Sequence, residues 1–149
     1  MKKVYAILIV LVLLIAAGAY WLFSNAFSWT NYTNELADHL NNALQQNALS
    51  AEYNGETHAI DSNHVDGLLR VLCRGASEVK DVKAPPATYD GKLILHIGDM
   101  TINVYRETKS VDEVVMERVQ NGRSNSTSLA GYEMFKWLLD ATGFTEAAS

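Results

Sequence analysis

The 149-residue sequence predicts an α+β protein, a single N-terminal transmembrane helix followed by a small antiparallel sheet with helices packed on one face. Three observations lead there. Val4 to Phe23 is an unbroken run of 20 uncharged, mostly aliphatic residues behind Lys2 and Lys3. Asn54-Gly55 and Gly98-Asp99 each sit between segments that read as strands, the signature of a β-hairpin. Residues 61–75 and 132–143 carry apolar side chains at helical spacing, bounded by capping and breaking residues.

At roughly 1.5 Å per helical residue the first run reaches about 30 Å, the thickness of a bilayer's hydrocarbon core. Val4, Leu8, Leu11, Leu14, Tyr20, Trp21 and Phe23 are its expected membrane-spanning residues. Lys2 and Lys3 precede the run, whereas Ser24 to Leu69 contains no Lys or Arg and carries six acids from Glu35 to Asp66. The positive-inside rule then puts residues 1–3 in the cytoplasm and the rest outside. Tyr20, Trp21 and Phe23, followed by Phe27 and Trp29, suit the far headgroup layer, where an aromatic ring keeps one edge wet. A cleaved signal peptide is the rival reading, with Ala17-Gly18-Ala19 as its site. The apolar stretch continues past that site through Phe23, and the usual polar segment before a cleavage point is missing, which favours an uncleaved anchor.

Without residues 1–23 the chain has 10 basic and 17 acidic residues, a net charge of −7. Nucleic acid and anionic lipid reward clustered Lys and Arg, so neither is an expected partner. The 126 residues that remain suit one domain. The single cysteine, Cys73, permits no internal disulfide, and its distance from the leader argues against a lipoprotein anchor.

Residues 24–49 read as a juxtamembrane stalk, helical from Trp29 to Leu49. Tyr32, Leu36, Leu40 and Leu44 recur every four residues, with Ala43 and Ala48 beside them and amides on the other face. Residues 50–149 form the extracytoplasmic α+β domain. Its first hairpin turns at Asn54-Gly55, two residues that tolerate the positive φ of a type I′ turn, and pairs Tyr53 with Glu56, Ala51 with His58 and Leu49 with Ile60. Asp61-Ser62-Asn63 then caps a helix with Val65, Leu68, Leu69, Leu72 and Cys73 on its apolar stripe and Gly75 as its stop. Lys83 to Asp90, with Pro85-Pro86, is a loop, since proline cannot donate to a helix or ladder.

Gly98-Asp99 turns the clearest hairpin. It opposes Ile97 to Met100, Leu95 to Ile102 and Leu93 to Val104, so that six apolar side chains share one face. Ser110 to Gly122 fits a helix through Ser110, Glu113 and four valines, or strands turning at Asn121-Gly122. The strand reading is preferred because it widens the sheet behind the hairpin's apolar face. Tyr132 to Ala141 closes the chain as a helix ended by Gly143.

Chemistry has few candidates. His58, Asp61 and His64 could ligate a divalent ion, but their spacing matches no ligand pattern, and ordinary packing or solvent roles account for them. Cys73 could be a nucleophile with His58, His64 or His96 as base, although its place on a helical stripe reads as core. Asp112 and Glu113 are adjacent and suit a solvated edge. The sequence holds no nucleophile elbow, zinc-protease helix, phosphate loop or dinucleotide fingerprint, so no catalytic residue, metal ligand or cofactor is assigned. Asn31-Tyr32-Thr33 and Asn125-Ser126-Thr127 match the glycosylation pattern, which matters only in a eukaryotic secretory pathway. In the polar run Gln120 to Ser128, Arg123 and Asn125 are the candidate partner contacts, suited to hydrogen bonding a peptide or a sugar.

The expected function is a membrane-anchored, non-enzymatic extracytoplasmic module. It would be an accessory subunit of a membrane complex or a binding domain for an envelope component. Its partners would be the lipid bilayer and another membrane or envelope protein. The alternatives are a structural protein that assembles through span and stalk, a secreted domain if the leader is cleaved near Ala19, and an enzyme built on Cys73 or the histidines. The layout resembles surface proteins of bacteria in general, a likeness that implies no active site.

Overall fold

A computed structural model describes residues 2–74, 78–108 and 112–145, with the side chains of residues 2–8, 21–32 and 74 outside the description. The chain divides into two compact units, Met1–Leu36 and Ala37–Ser149. Helix α1, Lys2–Gln45, contributes to both.

In the first unit, residues 9–20 of α1 are exposed apart from half-buried Ala19, with Leu14 at 67% and Tyr20 at 77%. Leu11 is exposed as well. Among the described residues no helix is long and apolar enough to cross a membrane. The stretch with described side chains is shorter than the roughly 20 residues a span takes. Val4, Leu8, Trp21 and Phe23 lie outside it. Helical structure over residues 4–23 is therefore shown, and a transmembrane helix is not.

The second unit is α+β, built on a seven-stranded sheet in the order β2-β1-β4-β5-β6-β7-β3. The strands are β1 Leu49–Tyr53, β2 Glu56–Ala59, β3 Glu78–Val82, β4 Gly91–Ile97, β5 Met100–Arg106, β6 Glu113–Gln120 and β7 Arg123–Ala130. Every neighbouring pair is antiparallel. Helices α2, Ser62–Arg74, and α3, Met134–Ala141, complete it.

Turn chemistry sets the local registers. Asn54 and Gly55 have φ of 51° and 82°, and Asn121 and Gly122 have 51° and 73°, both type I′. Gly98 at 60° precedes Asp99 in a II′ turn. The pairs Tyr53–Glu56, Ala51–His58, Ile97–Met100, Leu95–Ile102 and Leu93–Val104 form as the spacing predicts. Ile60 donates its N–H to the Leu49 carbonyl, so the first hairpin extends one step beyond its strands. Residues 113–120 form a strand, with Ser110 and Val111 outside the described residues.

One sheet face holds the core. Leu93, Leu95 and Val104 are fully buried, Ile97, Met100 and Ile102 are 1% exposed, and Val114, Met116 and Leu129 continue the layer. Each such side chain contributes roughly 1.5–3 kcal/mol relative to leaving it in water. From α1, Leu40 and Ala43 are buried too. The Phe135 ring of α3 lies on Gly91, where an added Cβ would come within 3.0 Å of two ring carbons. It also meets the Tyr53 ring edge-on at 6.0 Å. Helix α2 packs beside α3, with Gly67 opposite Ala141.

Helix ends depart from the sequence expectation in ways that backbone bonding explains. The stalk helix stops at Gln45 rather than Leu49, because Asn47 turns to φ 52°. Asn47 then donates to the Leu44 carbonyl and Ala48 to that of Ala43, a Schellman close that frees Leu49 for β1. Gly143 at φ 80° closes α3 the same way and seats Phe144 in the core. The start of α3 falls at Met134 rather than Tyr132, since Glu133 is left-handed and its N–H is held by the Asp112 carboxylate at 3.1 Å. On α2, Val65, Leu68 and Leu72 of the expected stripe are buried, Leu69 and Cys73 are half-buried, Val71 is buried in addition, and Gly75 lies outside the described residues. Strand β3 carries no apolar alternation, and its charges suit an exposed edge.

Candidate functional site

The sheet face opposite the core carries the best-organised polar surface. Successive residues of a strand point to opposite faces, so the registers define which side chains lie there. A row running Thr57, Glu52, Ile94, Asn103, Glu117, Ser126 and Val82 crosses all seven strands. On one side of it runs Lys92, Tyr105, Val115, Ser128 and Lys80, and on the other Ser50, His96, Thr101, Val119 and Ser124. Tyr105, Val115 and Ser128 are buried, while the middle of this face is otherwise mostly half-buried.

Glu117 organises the centre. Its Oε2 accepts hydrogen bonds from Asn103 Nδ2 and from the Tyr105 hydroxyl, both at 3.0 Å, and its Oε1 accepts one from Ser124 Oγ at 2.8 Å. Burial pushes its acidity toward the neutral form, yet the bonds from Ser124, Tyr105 and Asn103 and the positive charge of Lys92 outweigh that. Glu117 is held below the usual carboxylate range. Tyr105 moves the other way, to about 12, through burial first and then through its bond to Glu117 and that group's charge. Lys92 Nζ stands 5.4 Å from the centre of the Tyr105 ring. At the start of β6, Glu113 accepts a hydrogen bond from Ser128. Among the described residues no buried side-chain polar atom lacks a partner.

At the β1–β4 end, the loop before β4 folds over the face. Tyr89 meets Tyr105 edge-on at 5.1 Å, and Asp90 is anchored by Arg106 Nε at 2.6 Å. Between them and the sheet lies a pocket of about 310 Å³ lined by Glu52, Asn54, Tyr89, Asp90, Lys92 and Ile94. Glu52 Oε2 lies 3.9 Å from His96 Nε2.

The sequence-selected residues lie elsewhere. Arg123 and Asn125 are exposed and alternate with Ser124 and Ser126, which puts them on the opposite face from Glu117. Their cross-strand partners there are Gln120 and Arg118, themselves hydrogen-bonded at 2.8 Å. Among the described residues the β3 ladder on β7 ends at Ser126, short of the exposed residues 123–125.

Asp61 caps α2 through the Asn63 and His64 N–H groups and also takes His64 Nδ1 at 2.7 Å. Those bonds, that of the His64 side chain first, hold its carboxyl below the ordinary range. His58 stacks on Phe144 at 4.1 Å with 9° between the rings. Among the described residues no group of three or more His, Cys, Asp or Glu is placed to hold a metal ion. A small apolar cleft of about 210 Å³ lies between α2 and α3, flanked by Tyr132 at 77% and Trp137 at 53% exposure.

The Glu117 network escaped the sequence reading because the β5–β6 register depends on a loop whose length sets no fixed pairing. Its one legible signal was parity, since Glu117 alternates in phase with Val115 and Val119 once 113–120 is taken as a strand. No family model matches the chain, and neither a curated protein nor a solved structure does.

Proposed function

We propose that this chain is a membrane-anchored, non-enzymatic extracytoplasmic binding module whose recognition surface is the open face of its sheet. The observation that carries the reading is Glu117, which collects Asn103, Tyr105 and Ser124 on a half-buried, solvent-side surface. A merely solvated face needs no such mutual satisfaction, because water would serve each group. Donors and acceptors held in place before a ligand arrives reduce the ordering cost of binding. The same electrostatics weigh against catalysis. A general base works best near neutral pH, whereas Glu117 is held a weak base and Tyr105 stays protonated.

The anchor rests on the 20-residue apolar run of residues 4–23, and the outward orientation on the lysines before it. Arg123 and Asn125 offer a second contact row on the reverse face.

Site-specific photo-crosslinking in intact cells tests the face. A photoreactive residue at Ser126 or Ile94 is expected to give a discrete adduct, and one at Asp140 on α3 is expected to give none. Equal labelling from Asp140, or none from either sheet position, would overturn the face. The anchor is checked by whether the chain stays with the membrane fraction after an alkaline wash and whether external protease digests its domain.

A further inference from the structure

We propose that the pocket over β1 and β4 binds a neutral polyhydroxylated ring, one sugar residue of a glycan. This deepens the reading of the open face as a recognition surface and rests on it.

The lining selects the ligand class by elimination. Asp90 is already paired with Arg106, which lies outside the lining and over the Phe135 ring, so the charges left facing the pocket are Glu52 and Lys92, one negative and one positive. The balance leaves no net field for a phosphate, a carboxylate or an amine to follow. An extended peptide would add to a free sheet edge, but β1 and β4 are both interior strands. A wholly apolar ligand would bury against Ile94 and the Tyr89 ring but would desolvate Glu52, Asp90, Lys92 and Asn54 without returning a hydrogen bond.

A sugar ring fits what remains. Each hydroxyl both donates and accepts, and around this pocket carboxylates that only accept stand beside Lys92, which only donates, and Asn54, which does both. Tyr89 is 48% exposed and presents a ring on which the C–H face of a pyranose can lie, with a hydroxyl at its rim. Its edge-on contact with Tyr105 holds that ring in place, and Pro85-Pro86 limits the loop behind it. A volume near 310 Å³ is at the small end for ligand sites and suits a single ring. With about a dozen heavy atoms at a shallow site, the dissociation constant should be on the order of 1 mM.

Saturation-transfer NMR on the full chain tests this with glucose, galactose, mannose and N-acetylglucosamine, and with glucosamine and glucuronate as cationic and anionic analogues. At least one neutral sugar is expected to receive saturation at its ring C–H protons and to bind at least tenfold tighter than either charged analogue. Tyr89→Ala should weaken it tenfold or more and Glu52→Gln severalfold, with Trp137→Ala unchanged. Absence of saturation for all four neutral sugars, preference for a charged analogue, or full binding by both pocket variants would overturn the assignment. If the Ser126 crosslink forms while the sugars fail, the sugar assignment alone falls. If Ser126 and Ile94 both stay silent, the recognition face falls with it.

Discussion

Replacing Glu117 by Gln tests whether the ionised carboxylate, rather than the shape of the side chain, holds the open face together. Gln can keep an oxygen where Oε2 receives Asn103 and Tyr105, and its amide can donate to Ser124, whose hydroxyl turns to accept. All three contacts therefore survive, and what disappears is their charge assistance. A hydrogen bond to a charged group is worth roughly 1.5–3 kcal/mol against about 0.5–1.5 for a neutral one, and the exposed Ser124 bond counts for less. The expected loss at pH 7 is about 2 kcal/mol, or roughly 8 °C of melting temperature for a domain of this size. The sign with pH follows from the depressed pKa of Glu117. Its contribution is fully present above the ordinary value of 4.5 and is lost as pH falls through the lower folded-state value. Urea unfolding of both proteins, followed by near-ultraviolet circular dichroism between pH 7 and pH 3, should show the two curves converging at the acid end. A difference below about 0.5 kcal/mol at neutral pH would refute the charge-centred network. So would one that stays constant down to the acid limit.

Three further outcomes test the fold at particular residues. Gly91→Ala should destabilise by about 1–3 kcal/mol in the same urea assay, because its Cβ would meet the Phe135 ring at 3.0 Å, and that ring is buried with the Arg106 guanidinium 5.0 Å from its centre. Asn47→Ala should cost about 1 kcal/mol and Asn47→Gly nearly nothing, since only the left-handed backbone at φ 52° is being tested. Asp61→Ala should speed hydrogen exchange at the Asn63 and His64 amides at neutral pH, and the difference from the parent should vanish once acid has protonated Asp61, whose pKa is lowered in the fold.

The parts of the fold that could be read in advance are those with short-range causes. Asn54-Gly55 and Gly98-Asp99 dictate two-residue turns, and alternation then leaves one register that buries Leu93, Leu95, Ile102 and Val104 together. Strand β3 was invisible because Glu78 to Val82 has no apolar period. It becomes a strand only when Ser126 to Ala130 supplies a ladder nearly fifty residues away. The end of α1 departs from the periodicity for a related reason: Ala48 continues the four-residue apolar repeat of the stalk and Leu49 follows it, yet the Asn47 turn ends the helix and the ladder to Ile97 claims Leu49 for β1.

By itself the sequence determined the apolar N-terminal run, the excess of acids after it, the two hairpins and the division into helix and sheet, because composition, turn geometry and periodicity are properties of neighbouring residues. Only the tertiary structure decided that Asn103, Tyr105, Glu117 and Ser124 meet, that Tyr89, Lys92 and Glu52 line one pocket, and that Arg123 and Asn125 face away from both. Those meetings depend on which strands lie side by side. That order was settled by burying one apolar face, and the opposite face inherited its neighbours.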